Sequence, residues 1–420
     1  MEEVFNKIRK YNGWDGQFPE TGFERSFYLN KISGFIGNRL VKVLTGQRRT
    51  GKSYLMRQIM QSLTGKIGVN PQNIFYLNKE FSASVDIKTS DDLENLFLYY
   101  KEKLNVSGKI YLFLDEIQNI DNWEGFVNSY SQDFTQDYEL FITGSNSNLL
   151  SGEFASFLSG RYVEFEIFPF SFFEYAALKK IEISRDVFLD YLRFGGLPEL
   201  FHLDMEEVQR YYVESLKNTI VLRDIVGRHN IKDLTLLEDT FNFLMTNTGN
   251  LSSVSSIVSW FKNRNKKTNY ETLSSYIGYL KDTFVVHQVE RYNLRGKQVL
   301  GGEFKYYLND LAFKNFLFGF FPEDIGHHLE NYIYIQLRRM GFKVRVGLIN
   351  NMEVDFVAEV PGRKLYVQVC YMLNSQKVFD REFGNLLQIK DNHEKVVVSL
   401  DEMKFSDYEG IKHLRPWELV

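Results

Sequence analysis

Eight consecutive residues carry the clearest chemistry in this chain: Gly46-Gln47-Arg48-Arg49-Thr50-Gly51-Lys52-Ser53, with Tyr54 next. They fill every fixed position of the pattern G-x-x-x-x-G-K-[ST]. Glycines at both ends let a loop close with its N–H groups turned inward, and a helix opening at Lys52 adds the positive end of its dipole. Such a loop is suited to phosphates. Lys52 would reach the β- and γ-phosphates of a nucleotide, and Ser53 would ligate Mg²⁺. Further along, the apolar run Tyr111-Leu112-Phe113-Leu114 ends in Asp115 and Glu116. Asp115 is expected to hold the metal, and Glu116 to orient and deprotonate an attacking water.

Two further groups have two readings each. Ser145 and Asn146 follow another apolar run, 138–143, and either sense the γ-phosphate from an adjacent strand tip or cap the next helix. Arg161, in Gly160-Arg161-Tyr162, either neutralises phosphate charge, in its own chain or across a subunit boundary, or is a surface arginine.

These residues need a scaffold, and the pattern around them supplies one. Residues 41–44 are short, apolar and β-branched, the motif loop follows, and residues 52–62 have helical character. Further buried-strand patterns cover 74–77, 110–114 and 138–143, with a helix over 91–103 that repeats Leu93, Leu96 and Leu98. Strands spaced by helices predict a parallel α/β sheet. Beyond about residue 169 the pattern becomes aromatic-rich and helical, passing through Gly195-Gly196-Leu197-Pro198. Residues 233–283 read as mostly helical, with helices over 236–244, 253–260 and 270–281. A hairpin-like pair follows at 284–290 and 304–308, then a helix over 329–340 and strand patterns at 343–346, 354–360 and 365–370.

A length of 420 residues predicts two or three domains at about 150 residues each. Fifty Lys plus Arg against 54 Asp plus Glu give a formal charge of −4, which excludes a general cationic coat for nucleic acid. The single cysteine, Cys370, excludes a disulfide framework and a cysteine-built zinc site, and reads as a small buried residue. The acidic start, Met1-Glu2-Glu3, and the lack of an 18-residue apolar run predict a cytoplasmic protein with no membrane partner.

In order along the chain, residues 46–53, Leu114-Asp115-Glu116, Thr143-Gly144-Ser145-Asn146, Gly160-Arg161-Tyr162 and Phe168-Pro169-Phe170-Ser171-Phe172-Phe173-Glu174 resemble one family. It is the prokaryotic AAA+-type P-loop ATPases related to the signal-transduction ATPases with numerous domains. The likeness continues through Leu222-Arg223-Asp224-Ile225, Leu329-Glu330-Asn331 and Glu353-Val354-Asp355-Phe356. It implies Mg²⁺-dependent binding and hydrolysis of ATP. Gly196-Leu197-Pro198 resembles that clade's G-x-P motif, which implies that Pro198 lies against the nucleotide base from a helical lid.

The expected organisation is therefore a P-loop ATPase core at 1–168, a helical lid at 169–230, a winged-helix-like domain at 231–318 and an α/β nuclease-like domain at 319–420. In the third, the helix from Tyr270 would face DNA, helped by Lys262, Arg264, Lys266 and Lys267, or else those cations mark a solvated face. In the fourth, Glu330, Glu353, Asp355 and Gln368 follow the order of a PD-(D/E)xK nuclease, in which acids bind Mg²⁺ and a lysine assists water. Here Gln368-Val369-Cys370 stands where Glu-x-Lys is expected, so a degenerate, non-cutting interaction domain is predicted. Lys364 and Lys377 are the alternative lysines. His327-His328 reads as helix-capping polarity, and Arg223 with Asp224 as a structural ion pair. The function expected is an ATPase whose nucleotide state switches its C-terminal domains, on DNA or in signalling or defence, with a protein partner or as a homo-oligomer. The rivals are an ATP-licensed DNA nuclease and a nucleotide-holding module without turnover.

Overall fold

Four of the five strands of the first half are buried along their whole length because both faces of their sheet are covered. The computed structural model describes residues 1–150, 158, 160–402 and 407–419. The chain divides into two units, Met1–Ile167 and Phe168–Val420. The first is built on β1 (Val41–Thr45), β2 (Ile74–Asn78), β3 (Ile110–Asp115), β4 (Tyr138–Gly144) and β5 (Tyr162–Glu166). All neighbours are parallel, in the order β2-β3-β4-β1-β5. Helices α1 (Glu2–Asn12), α2 (Ser26–Ser33), α3 (Lys52–Ser62), α4 (Ser90–Leu104) and α5 (Trp123–Gln132) complete the unit.

Alternate strand residues feed two different cores. Val43, Phe75, Leu112, Leu114 and Ile142 pack with residues of α1, α4 and α5. Leu44, Tyr76, Phe113 and Phe141 pack with Tyr28, Ile32, Leu55 and Ile59 of α2 and α3. Phe113 and Phe141 stack across β3 and β4 with ring centroids 4.5 Å apart. Thr89 and Asp92 form a reciprocal capping box at the start of α4, fixing where that helix begins. Of its three leucines, Leu93 and Leu96 are buried, whereas Leu98 lies on the outer face.

The second unit holds a mixed seven-stranded sheet in the order β12-β11-β10-β9-β8-β6-β7. Its strands are β6 (Val286–Asn293), β7 (Gln298–Leu308), β8 (Lys343–Ile349), β9 (Met352–Val360), β10 (Arg363–Val369), β11 (Glu394–Val398) and β12 (Ile411–Leu414). Three helices, Leu234–Thr246, Val254–Lys262 and Tyr270–Asp282, precede the β6–β7 hairpin. Asp233, Ser253 and Asn269 cap them through their side-chain oxygens. The hairpin does not stand apart from the C-terminal strands. Arg291, Tyr292 and Asn293 of β6 pair in parallel with Val346, Gly347 and Leu348 of β8. The sequence boundary at 318 therefore falls between two parts of one sheet. Among the described residues no helix is long and apolar enough to cross a membrane.

Candidate functional site

The phosphate-type loop leaves the end of β1 and is held by close packing and internal hydrogen bonds. Gly46 adopts φ +138°, and a Cβ there would lie 2.4 Å from the carbonyl oxygen of Ile167, so only glycine fits. Gly51 caps α3 at φ +93°, and Arg49 sits at φ +68°. Thr50 Oγ1 donates to the Gln47 carbonyl at 3.0 Å. Arg25, buried beneath the loop, donates from Nη1 to the Thr50 carbonyl at 3.0 Å, and its backbone N–H is accepted by Gln58 Oε1. Arg48 pairs with Glu80 at 2.6 Å. Lys52 spans the loop: its Nζ donates to the carbonyls of Gly46 and Gln47 at 2.8 and 2.9 Å. Burial pushes the Lys52 ammonium's pKa down, offset in part by the charges of Glu116 and Asp115.

The acids stand on a neighbouring strand tip. Because β4 lies between β1 and β3, the residues that end β4 are placed between the loop and the acids. Asp115 is almost fully buried, and among the described residues the donors to its carboxylate are neutral groups. Tyr76 Oη (2.9 Å) and Asn78 Nδ2 (2.6 Å) donate to Oδ2, and Thr143 Oγ1 (2.5 Å) donates to Oδ1. The Ser53 side chain also hydrogen-bonds it. Burial raises the Asp115 pKa, and the neighbouring Glu116 charge adds to the effect. A cation would relieve both. Glu116 follows in the left-handed region at φ +54°, an unusual conformation for a side-chain-bearing residue. Its N–H donates to Thr143 Oγ1 (2.9 Å), while Oε2 accepts from Gln118 Nε2 (2.5 Å) and Ser145 Oγ (3.1 Å). Ser145 and Asn146 are both buried here.

The loop, Lys52, Ser53, Asp115, Glu116, Ser145 and Asn146 are thus gathered at one end of one sheet. Tyr54 is exposed, with the Arg57 guanidinium 4.2 Å above its ring. Arg161 is not brought to the loop. It lies at the entry end of β5, where its carbonyl accepts the Val41 N–H at 2.9 Å. The length of β1, roughly 16 Å at ~3.3 Å per residue, separates its backbone from Gly46. That corrects the reading in which Arg161 neutralises phosphate within its own chain, because the side chain is shorter than the gap. Pro198 belongs to the second unit, where it opens the turn Pro198–His202. The preceding Gly196 is held by Asp310, whose Oδ2 accepts its N–H at 2.8 Å. Sequence reasoning quoted Thr143 within a motif without giving it a role, and did not find Arg25, Tyr76, Asn78 or Gln118. Each is a common residue type whose role arises from contacts between separate elements.

The second unit gathers the other predicted set around a cleft of about 950 Å³. Glu330 comes from the helix Ile325–Arg339, Glu353 and Asp355 from β9, and Gln368 from β10. Gln368 Oε1 accepts the Asp355 N–H at 3.4 Å, and Asp355 Oδ2 accepts the Val369 N–H at 2.7 Å. Lys305 of β7, which the sequence reading passed over, pairs with Glu330 at 2.9 Å and Glu353 at 2.6 Å. Lys266 pairs with Asp239, and Arg264 lies 3.7 Å over the Trp260 ring, so two of the four cations near Tyr270 have partners within the chain. His328 is no surface cap: it is fully buried, with Nε2 2.8 Å from Asn315 Oδ1. Cys370 is buried as expected, and burial pushes its thiol's pKa up.

Residues 38–176 match the model of an AAA domain family, and residues 185–324 that of a domain of unknown function. An uncharacterized protein of Haemophilus influenzae is 34% identical over 393 residues, covering 92% of this chain and 96% of that protein. One from Methanocaldococcus jannaschii is 30% identical over 349 residues, covering 80% of this chain and 75% of that protein. Among solved structures, the Thermotoga maritima RuvB Holliday junction branch migration motor is similar at 17% identity. That alignment covers 64% of this chain and 90% of that one, with a TM-score of 0.32. The parallel β2-β3-β4-β1-β5 sheet with its loop after β1, the AAA family match and the two long relatives agree: this chain belongs to the AAA+ P-loop ATPases, in one family with the Haemophilus and Methanocaldococcus proteins.

Proposed function

We propose that the chain binds ATP with Mg²⁺ in the loop of residues 46–53 and hydrolyses it to ADP and phosphate. The observation that carries this reading is the set of partners around Asp115 and Glu116, which are hydroxyls and amides rather than cations. Hydroxyl and carboxylate oxygens on Ser53 and Asp115, already in hydrogen-bond contact, are the hard donors that Mg²⁺ takes. When bound, the metal would neutralise phosphate charge. Lys52 would exchange its two loop carbonyls for phosphate oxygens. Ser145 and Gln118 hold Glu116 in position, and Glu116 would accept the proton of the attacking water. Ser145 and Asn146, at the tip of β4, are the groups proposed to register the γ-phosphate. The reading extends to a switch, in which ATP and ADP favour different arrangements of the C-terminal region.

The test is phosphate release and nucleotide binding measured side by side. Glu116→Gln keeps the side chain's shape and removes the base, so turnover should fall by roughly 10²–10⁴-fold while ATP binding persists. Lys52→Ala should abolish binding. Unchanged turnover in Glu116→Gln would refute hydrolysis at this site, and undiminished binding in Lys52→Ala would refute the site itself.

A further inference from the structure

The resemblance to metal-dependent nucleases implies a divalent cation among Glu330, Glu353 and Asp355, and the side chains present do not fit one. Lys305 and Tyr307 stand two apart on β7 and so point to the same face of the sheet. Both reach Glu330 Oε1, Lys305 Nζ at 2.9 Å and Tyr307 Oη at 2.6 Å. The same ammonium donates to Glu353 Oε1 at 2.6 Å. Lys305 is 5% exposed although it lines the cleft, so its charge is neutralised by these acids rather than by water. Asp355 already uses Oδ2 for the Val369 N–H, and the neighbouring Gln368 offers a neutral amide where an anion would be needed. Among the described residues no group of three or more His, Cys, Asp and Glu side chains is arranged to hold a metal.

We infer that Lys305 is a resident cation: its ammonium takes the place between Glu330 and Glu353 that a divalent metal would need, and closes the cleft to metal-dependent chemistry. The geometry supports this in two ways. A divalent ion entering the cluster would meet a like charge within hydrogen-bonding distance of the carboxylates it must share. A lysine serving instead to activate water would need its Nζ turned toward a substrate, whereas this one is committed to two carboxylates. The cleft remains open to solvent and to a bound partner, without the means to cut one.

The experiment titrates the full-length protein with MnCl₂ in a calorimeter without nucleotide, alongside plasmid nicking in Mn²⁺. Wild type should show no Mn²⁺ site that Asp355→Asn removes, and no nicking. Lys305→Met should gain one Mn²⁺ site per chain, bound at least about tenfold more tightly than anything in wild type. That site should vanish in Lys305→Met/Asp355→Asn, whereas Lys305→Arg, which keeps the positive charge, should gain none. Should Lys305→Met fail to fold, Lys305→Met/Glu353→Gln removes one uncompensated charge and permits the same titration through Glu330 and Asp355. A folded Lys305→Met or Lys305→Met/Glu353→Gln that gains no site would overturn the inference. So would a wild-type Mn²⁺ site lost in Asp355→Asn, or wild-type nicking that depends on Lys305.

Discussion

Each half of this molecule sets a buried lysine near carboxylates, and the two pairings are built differently. In the phosphate-type loop, Lys52 bonds backbone carbonyls and the nearby Asp115 bonds hydroxyls and an amide. Charge there is held by neutral groups, each of which can be exchanged for a ligand of opposite sign. In the C-terminal cleft, Lys305 is bonded directly to Glu330 and Glu353, and the charges satisfy one another. On the proposed readings, the first arrangement takes a ligand, and the second supplies its own. The presence of lysine and acids in a cleft is therefore a poor guide to activity until their partners are known.

The contrast is broken most decisively by removing each lysine in turn. Lys305→Met should destabilise the protein by about 2–3 kcal/mol, because it leaves the partly buried Glu330 and Glu353 without their cation. Lys52→Met should change stability by less than about 1 kcal/mol without nucleotide, since the lost hydrogen bonds are offset by removal of a costly buried charge. Urea midpoints of the two variants would check this, and equal losses would erase the distinction between the two clusters.

A pH test sharpens the same comparison, because all seven histidines lie beyond residue 167. Burial, with the nearby Lys314 adding to it, pushes the His328 imidazole down to about 4, despite the opposing Asp324. Between that value and the ordinary 6.5, the unfolded chain binds a proton that the folded chain refuses. The stability due to neutral His328 is thus complete above about pH 6.5 and is lost as pH falls toward 4, by up to about 3 kcal/mol. His328→Gln keeps a donor for Asn315 and should flatten this part of the pH dependence. Parallel stability–pH curves for wild type and variant would show that the residue does not titrate in that window.

A further effect is expected at the tip of β4. Thr143→Val deletes the hydroxyl that donates to Asp115 and accepts from the Glu116 N–H. It should cost about 1–3 kcal/mol in stability and lower turnover through misplacement of both acids. A variant with full activity would show that Asp115 and Glu116 do not depend on that bond.

The sequence made some of this arrangement visible and hid the rest, for reasons of distance along the chain. Residues 46–53 are legible because all their chemistry lies within one turn of backbone, and Asp115 with Glu116 because a buried strand must end somewhere polar. Tyr76, Asn78 and Thr143 are 39, 37 and 28 residues from Asp115, and join it only once β2, β3 and β4 are aligned. The same holds for Lys305, 25 residues before Glu330. Attention to the missing lysine at Cys370 pointed along β10, whereas the cation enters from β7 across the sheet. Strands β11 and β12 were missed too, although Val396-Val397-Val398 is a β-branched run that signals the first of them.

The short parallel ladder between β6 and β8 has a practical and an evolutionary consequence. Three residue pairs weld the hairpin to the strands that follow it, so neither part can be cut away or transplanted without baring a row of unpaired amides and carbonyls on the other. A fragment ending near residue 318 should aggregate, and any gene fusion that borrows this module must carry the hairpin and the later strands as a single heritable block.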